Sequence, residues 1–220
     1  MLKKLFIWST LGIILFWIRL ILHVTYHHSF TKREKLSEPE WPAHVDFTMK
    51  KALIKHRNHV LNDLKEVFFC RLDPKKFLSM YGTLNMTWED PLGRYEGSSD
   101  VETYFGQFCL FENLEFKIYH EVHSEQKIVL DWEHSGGFKG FSHVSWLKLK
   151  LLMRTHIFLE PGEKPNNERI FSIYEEWGGN KLLTEESLPW PPFLGLIHQK
   201  LRLFTGSLIL RFARNIKSFV

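Results

Sequence analysis

Three hydrophobic patterns succeed one another along the chain. The first is an almost unbroken apolar run, Leu5 to Ile18 (LFIWSTLGIILFWI), behind Lys3 and Lys4 and continued by Leu20 to Val24 after Arg19. A bilayer span needs about 20 apolar residues, and the run reaches that length if Arg19 carries its charge out to the headgroups. Residues 1–26 therefore read as a signal anchor. A cleaved signal peptide is the competing reading, although no small-x-small site follows the run. Basic residues flank both sides, so orientation stays open. Residues 27–45, with Pro39 and Pro42 in a polar stretch, read as a linker.

The second pattern has the period of a helix. Behind Asp46, a suitable N-cap, come Phe47, Leu53, Ile54, Leu61, Leu64 and Phe68. Asp73-Pro74 pairs a cap with a first-turn proline and predicts a short helix through Phe77 and Leu78 to Tyr81, stopping near Gly82. Leu84 to Glu89 predicts a brief strand closed by the turn Asp90-Pro91-Leu92-Gly93. A third helix follows Ser98 or Ser99 and carries Val101, Tyr104, Phe105 and Phe108.

The third pattern has period two. Leu114, Phe116 and Ile118 alternate with Glu115, Lys117 and Tyr119, and Ile128 to Trp132 follows. The glycine-rich Ser135-Gly136-Gly137 with Gly140 reads as a connection, then Trp146 to Leu159 and Arg169 to Trp177 as strands. Helices first and antiparallel strands after them predict an α+β domain over residues 46–186, three helices packed on one face of a strongly curved, mainly antiparallel sheet that leaves a cone.

The helical period returns in residues 187–220, isolated by Pro189-Trp190-Pro191-Pro192. Ile197, Leu201, Phe204, Leu208, Phe212 and Phe219 form one stripe, with Lys200, Arg202, Arg214 and Lys217 off it. This is a cationic amphipathic helix, suited to a bilayer interface or else packed on the domain.

Charge sharpens the division. Residues 1–33 and 187–220 each carry five basic residues and no acidic one, so all 25 acidic residues lie between Glu34 and Glu186 against 19 of the 29 basic ones. The middle carries −6 and the two apolar ends +10. A nucleic-acid-binding domain puts its basic charge on the folded body; here the partner indicated is anionic lipid, and no nucleic acid is expected. The two cysteines, Cys70 and Cys109, have no ligand-like spacing and read as buried free thiols. His56 with His59 and His120 with His123 lack the Cys, Glu or third His of a zinc site, so neither metal nor cofactor is expected. Asp131 and His134 read as members of a solvated strand face.

Trp88-Glu89-Asp90-Pro91-Leu92-Gly93, then Tyr95-Glu96-Gly97, then a helix ending in Tyr104-Phe105 resembles a segment shared by nuclear transport factor 2-like domains, and most nearly the ketosteroid isomerases and polyketide cyclases among them. Arg169 to Trp177 is similar to their last strand, and the resemblance covers about residues 46–180. It implies a conical fold and places Asp90 at the position of a general base for proton transfer; Asp-Pro is also an ordinary turn opening. The base's partners are not matched. Leu64, Glu66 and Val67 surround Lys65 where a tyrosine belongs, and no carboxyl group stands near Arg154 and Thr155.

The sequence thus predicts a membrane-anchored domain, single-pass or monotopic, at an endomembrane or mitochondrial membrane, binding an apolar small molecule or lipid without catalysis. Tyr81, Trp88, Tyr104, Phe171, Ile173 and Trp177 are the expected ligand contacts. An isomerase, cyclase or dehydratase with Asp90 as base, helped by Trp88, Tyr81 or Tyr174, is the alternative; an interaction module with a filled cone is a third, and the sheet face is a candidate homodimer surface.

Overall fold

The computed structural model describes residues 41, 45, 47–91, 93–140, 149–162, 167–177, 204, 206–208 and 210–211. The expected anchor at 1–26, most of the linker and residues 178–203 lie outside these. Among the described residues no helix is long and apolar enough to cross a membrane.

Helix α1 spans Phe47–Phe68 and buries Leu53, Arg57, Val60, Leu61, Leu64, Val67 and Phe68, steps of three, four and one that keep a single stripe on the core. Arg57 lies in the same stripe and is fully buried. It survives there because every part of its guanidinium is engaged. Nε and Nη2 donate to Glu168 Oε2 and Oε1 at 2.8 and 2.6 Å, and Nη1 and Nη2 donate to the carbonyls of Ser124 and Glu125. Trp41, from the expected linker, rests its ring 5.6 Å from the same guanidinium. Helix α2, Pro74–Tyr81, starts as expected: Asp73 accepts from Lys75 N at 3.0 Å.

Strand β1 (Gly82–Asp90) is longer than the brief strand expected and forms a hairpin with β2 (Gly93–Glu96), which period-two reading missed because only four residues carry it. Gly97 then turns the chain with φ +79, a conformation that disfavours any side chain, and α3 runs Ser98–Phe105 into a short 3₁₀ turn, Gly106–Leu110.

Four long strands follow: β3 (Phe111–Ser124), β4 (Lys127–Phe138), β5 (Leu149–Glu160) and β6 (Arg169–Trp177). Sheet order is β2-β1-β6-β5-β4-β3, antiparallel throughout except that β1 and β6 run parallel. The first and last strands in sequence thus lie side by side within the sheet. Ser135-Gly136-Gly137 is not a connection but part of β4. A Cβ at Gly136 would come within 2.7 Å of Leu114 Cδ2 on β3, so the glycine lets the two strands close. Register shifts interrupt β3 against β4 between Glu112 and Glu115 and between Ile118 and His120, and β5 against β6 at Phe158–Leu159. Such shifts bend and twist a sheet.

Cys70 and Cys109 are joined, not free: their Cα atoms are 5.6 Å apart in a disulfide that ties the end of α1 to the 3₁₀ turn before β3. Both residues are exposed. The two residues, 39 apart in sequence, meet where their near neighbours Phe68 and Phe108 pack ring to ring at 4.4 Å.

The C-terminal stretch is helical at each described position from 204 to 211. Gly206 lies against Gly93 with no side chain between them: a Cβ on Gly93 would stand 2.7 Å from Gly206 Cα. Leu210 joins the core cluster. Of the two readings of this helix, packing on the domain is the one realised by Gly206 and Leu210, while Phe204 and Leu208 of the apolar stripe point outward.

Candidate functional site

The helices cover one face of the sheet, and each strand sends alternate residues to it. β1 turns Met86, Trp88 and Asp90 inward, all with no exposed surface. Its parallel pairing with β6 sets Trp88 beside Ile173 and Glu89 beside Tyr174, so one step further Asp90 and Glu175 are neighbours inside. β5 places Thr155 opposite Glu175, and Trp132 on β4 reaches Thr155.

The result is a polar chain across the floor of an apolar interior. Trp132 Nε1 donates to Thr155 Oγ1 at 2.8 Å, Thr155 Oγ1 donates to Glu175 Oε1 at 3.3 Å, and Trp177 Nε1 donates to Glu175 Oε2 at 3.3 Å. On the other side Tyr104 Oη, from α3, donates to Asp90 Oδ2 at 2.7 Å. Asp90 Oδ1 accepts from Gly93 N at 2.7 Å, so this carboxylate closes its own turn as well as facing the interior. Tyr95 stacks on Tyr104 with ring centres 4.3 Å apart.

Electrostatics separates the two carboxyl groups. Burial, reinforced by the nearby Asp90, raises the Glu175 carboxyl to about 8 against the opposing hydrogen bonds from Trp177 and Thr155. Glu175 is therefore protonated at neutral pH. In that form the carboxyl group can donate as well as accept. Burial and then Asp90 also hold the Tyr104 hydroxyl well above its ordinary value, so it stays a donor.

Around Phe68 lies the aromatic part of the interior: Trp88, Phe116, Trp132 and His134 all have ring centres within 6.0 Å of its own. Trp88 Nε1 and His134 Nε2 are buried there with no hydrogen-bond partner among the described residues. Burial holds His134 well below its ordinary value, hence neutral.

Of the residues expected to touch a ligand, Trp88, Tyr104, Ile173 and Trp177 face this interior with Asp90. Phe171 does not. It is the extra residue at the β5–β6 register shift, where Phe158 pairs with Ser172 and Leu159 with Ile170, so the alternation breaks and its ring turns out, 39% exposed, toward Phe158. Tyr174 lies on the outer face beside His156, rings 5.7 Å apart. Tyr81 donates its hydroxyl to Asp63 Oδ2 at 2.6 Å, and burial with that carboxylate pushes it up to about 12.

Asp131 and His134 also correct expectation, since neither is solvated. Their strand parity differs: His134 points to the aromatic interior, whereas Asp131 pairs with Arg154 Nε and Nη2 at 2.7 and 2.8 Å. Sequence reading missed Glu175, Thr155 and Trp132. The one available signal was parity, because Glu175 follows the inward Ile173 by two. Among the described residues no three His, Cys, Asp or Glu are grouped as a metal site.

No protein-family model matches the chain, and no curated protein matches its sequence. Solved structures do. An NTF2-like protein from Anabaena variabilis is 16% identical with a TM-score of 0.47, the match covering 61% of this chain and 94% of that one. A protein of ketosteroid isomerase-like fold from Catenulispora acidiphila, in complex with trimethylamine, is 15% identical with a TM-score of 0.43, covering 60% and 97%. A SnoaL-like protein, described as a polyketide cyclase, from Shewanella denitrificans is 14% identical with a TM-score of 0.43, covering 56% and 89%. These three structures are NTF2-like, ketosteroid isomerase-like and SnoaL-like by description.

Proposed function

We propose that this is a membrane-tethered, cone-shaped domain that binds a small, mainly apolar molecule carrying one oxygen acceptor, with Glu175 as the donor to that oxygen. The carrying observation is a buried carboxyl group whose two oxygens accept from Thr155 and Trp177 and whose burial favours the neutral, proton-donating acid. Trp88, Phe68, Ile173 and Trp177 supply the apolar contact, Trp88 Nε1 is a further donor, and His134 Nε2 is a donor or an acceptor according to its tautomer. Leu5 to Val24 supplies the tether.

The disulfide favours one side of that membrane. Exposed cysteine pairs persist as disulfides in oxidising compartments and are kept reduced in the cytosol, so the domain faces the non-cytosolic space.

The experiment is native mass spectrometry of the full chain in lipid nanodiscs, followed by extraction of whatever is bound. A retained carbonyl- or hydroxyl-bearing apolar molecule, kept by Glu175→Gln and lost by Glu175→Leu, supports the reading. Equal retention by both variants removes Glu175 from the site.

A second reading has its own observation. A neutral Glu175 beside the Asp90 carboxylate pairs an acid with a base, the arrangement that moves a proton next to a carbonyl. Asp90, oriented by the Tyr104 hydroxyl, would accept the proton, with Glu175 donating to the oxyanion. Solvent deuterium entering the extracted compound with native protein but not with Asp90→Asn would establish turnover; absence of exchange leaves a binding protein.

A further inference from the structure

Phe204 and Leu208 are one helical turn apart, 55% and 46% exposed, on the helix whose other side is fixed to the domain. Gly206 and Leu210, also one turn apart, make that attachment: Gly206 against the backbone of Gly93 and Leu210 within the core cluster. Gly93 is the residue whose N–H binds Asp90. The helix is therefore fastened to the turn that carries the polar end of the interior.

We infer that this helix seats the domain on an acidic phospholipid surface, so that the β1–β2 turn and the Asp90 end of the interior lie against the bilayer. Charge decides the occupant. Residues 187–220 hold five basic residues and no acidic one, and Arg211 is exposed beside the outward stripe. An apolar stripe beside Arg211, in a segment whose charged residues are all basic, matches the acyl-and-phosphate boundary of a bilayer. On the domain's side of the Leu5 to Val24 tether, Lys32 and Arg33 likewise stand in a stretch without acidic residues before Glu34. Held this way, an apolar ligand has a short path between membrane and interior. The inference deepens the membrane-tethered reading above, and it gives the tethered domain an orientation.

The test uses the full chain in vesicles of phosphatidylcholine containing a minority of phosphatidylglycerol. With Cys70 and Cys109 joined, Leu208→Cys adds the single reactive thiol for a nitroxide label; Lys76→Cys, exposed on α2, is the comparison position. The label at 208 is expected to collide with oxygen and to be shielded from a water-soluble nickel complex, while the label at 76 shows the reverse. In phosphatidylcholine alone, or at high salt, the 208 label is expected to shift toward the aqueous signature. A vesicle-bound chain whose 208 label stays aqueous in the acidic vesicles overturns the seating and leaves the tether standing. A chain that does not bind vesicles at all overturns both. Spin–spin broadening between labels at 208, independent of lipid, assigns the stripe to a second copy and also overturns it.

Discussion

The Tyr104 hydroxyl and the Asp90 carboxylate, 14 residues apart, meet at 2.7 Å inside the domain, where both residues are buried. The bond joins α3 to the β1–β2 turn and holds the turn carboxylate at the edge of the interior. Its loss takes one donor away from a buried carboxylate.

Tyr104→Phe is therefore expected to destabilise the domain by about 1–3 kcal/mol, read by urea denaturation. Because Asp90 keeps its Gly93 bond, the hairpin itself should persist in hydrogen exchange. No change in stability would show that Asp90 regains a donor without Tyr104.

Stability should depend on pH through Glu175. The native state holds this proton up to about pH 8, while the unfolded chain releases it near the ordinary value of 4.5. Between those values the native state binds the extra proton, so its stability contribution is complete below the lower one and is lost as pH rises through the upper one. Thermal melts of the native chain should fall across this window, and Glu175→Gln should flatten the fall. Parallel profiles for the two would place the proton elsewhere.

Reducing the Cys70–Cys109 disulfide, or replacing both residues by serine, removes a closure across a sequence separation of 39 residues. A loop of that size corresponds to about 4 kcal/mol in the chain-entropy model. The expected outcome is a lower urea midpoint under reducing conditions. In cells, thiol-blocking before lysis should leave the pair unmodified; ready alkylation would place the domain in a reducing compartment.

Arg57→Ala leaves Glu168 buried without its partner and should cost about 3–5 kcal/mol, whereas Arg57→Met with Glu168→Leu should cost much less, since an apolar pair avoids the desolvation of both charges. The two variants differ in denaturation midpoint if the pair is as isolated from water as its 1% and 5% side-chain exposures indicate. Equal losses would mean that the helix-to-carbonyl bonds of Arg57 matter more than the ion pair.

Much of the fold was legible because it is local. Asp73-Pro74 announces its helix by a cap and a fixed φ, the 3.6-residue stripe of α1 needs no partner to be seen, and Phe116 alternating with Lys117 marks a strand wherever that strand lies. β2 escaped because four residues carry too little period, and Gly136 misled because glycine signals both a loop and a close strand approach.

The site divides in the same way. Asp90, Trp88 and Tyr104 belong to one short stretch whose motif and helix period can be read in order, and the sequence by itself determined that they stand near one another. Glu175, Thr155 and Trp132 come from three strands, and only the pairing of β1 with β6 in parallel, and of β4, β5 and β6 in register, lines them up with Asp90. Phe171 left the interior through a single register shift, and Cys70 found Cys109 through the packing of Phe68 on Phe108. Register and long-range packing are set by how whole surfaces fit together, and no residue's neighbours in sequence carry that information.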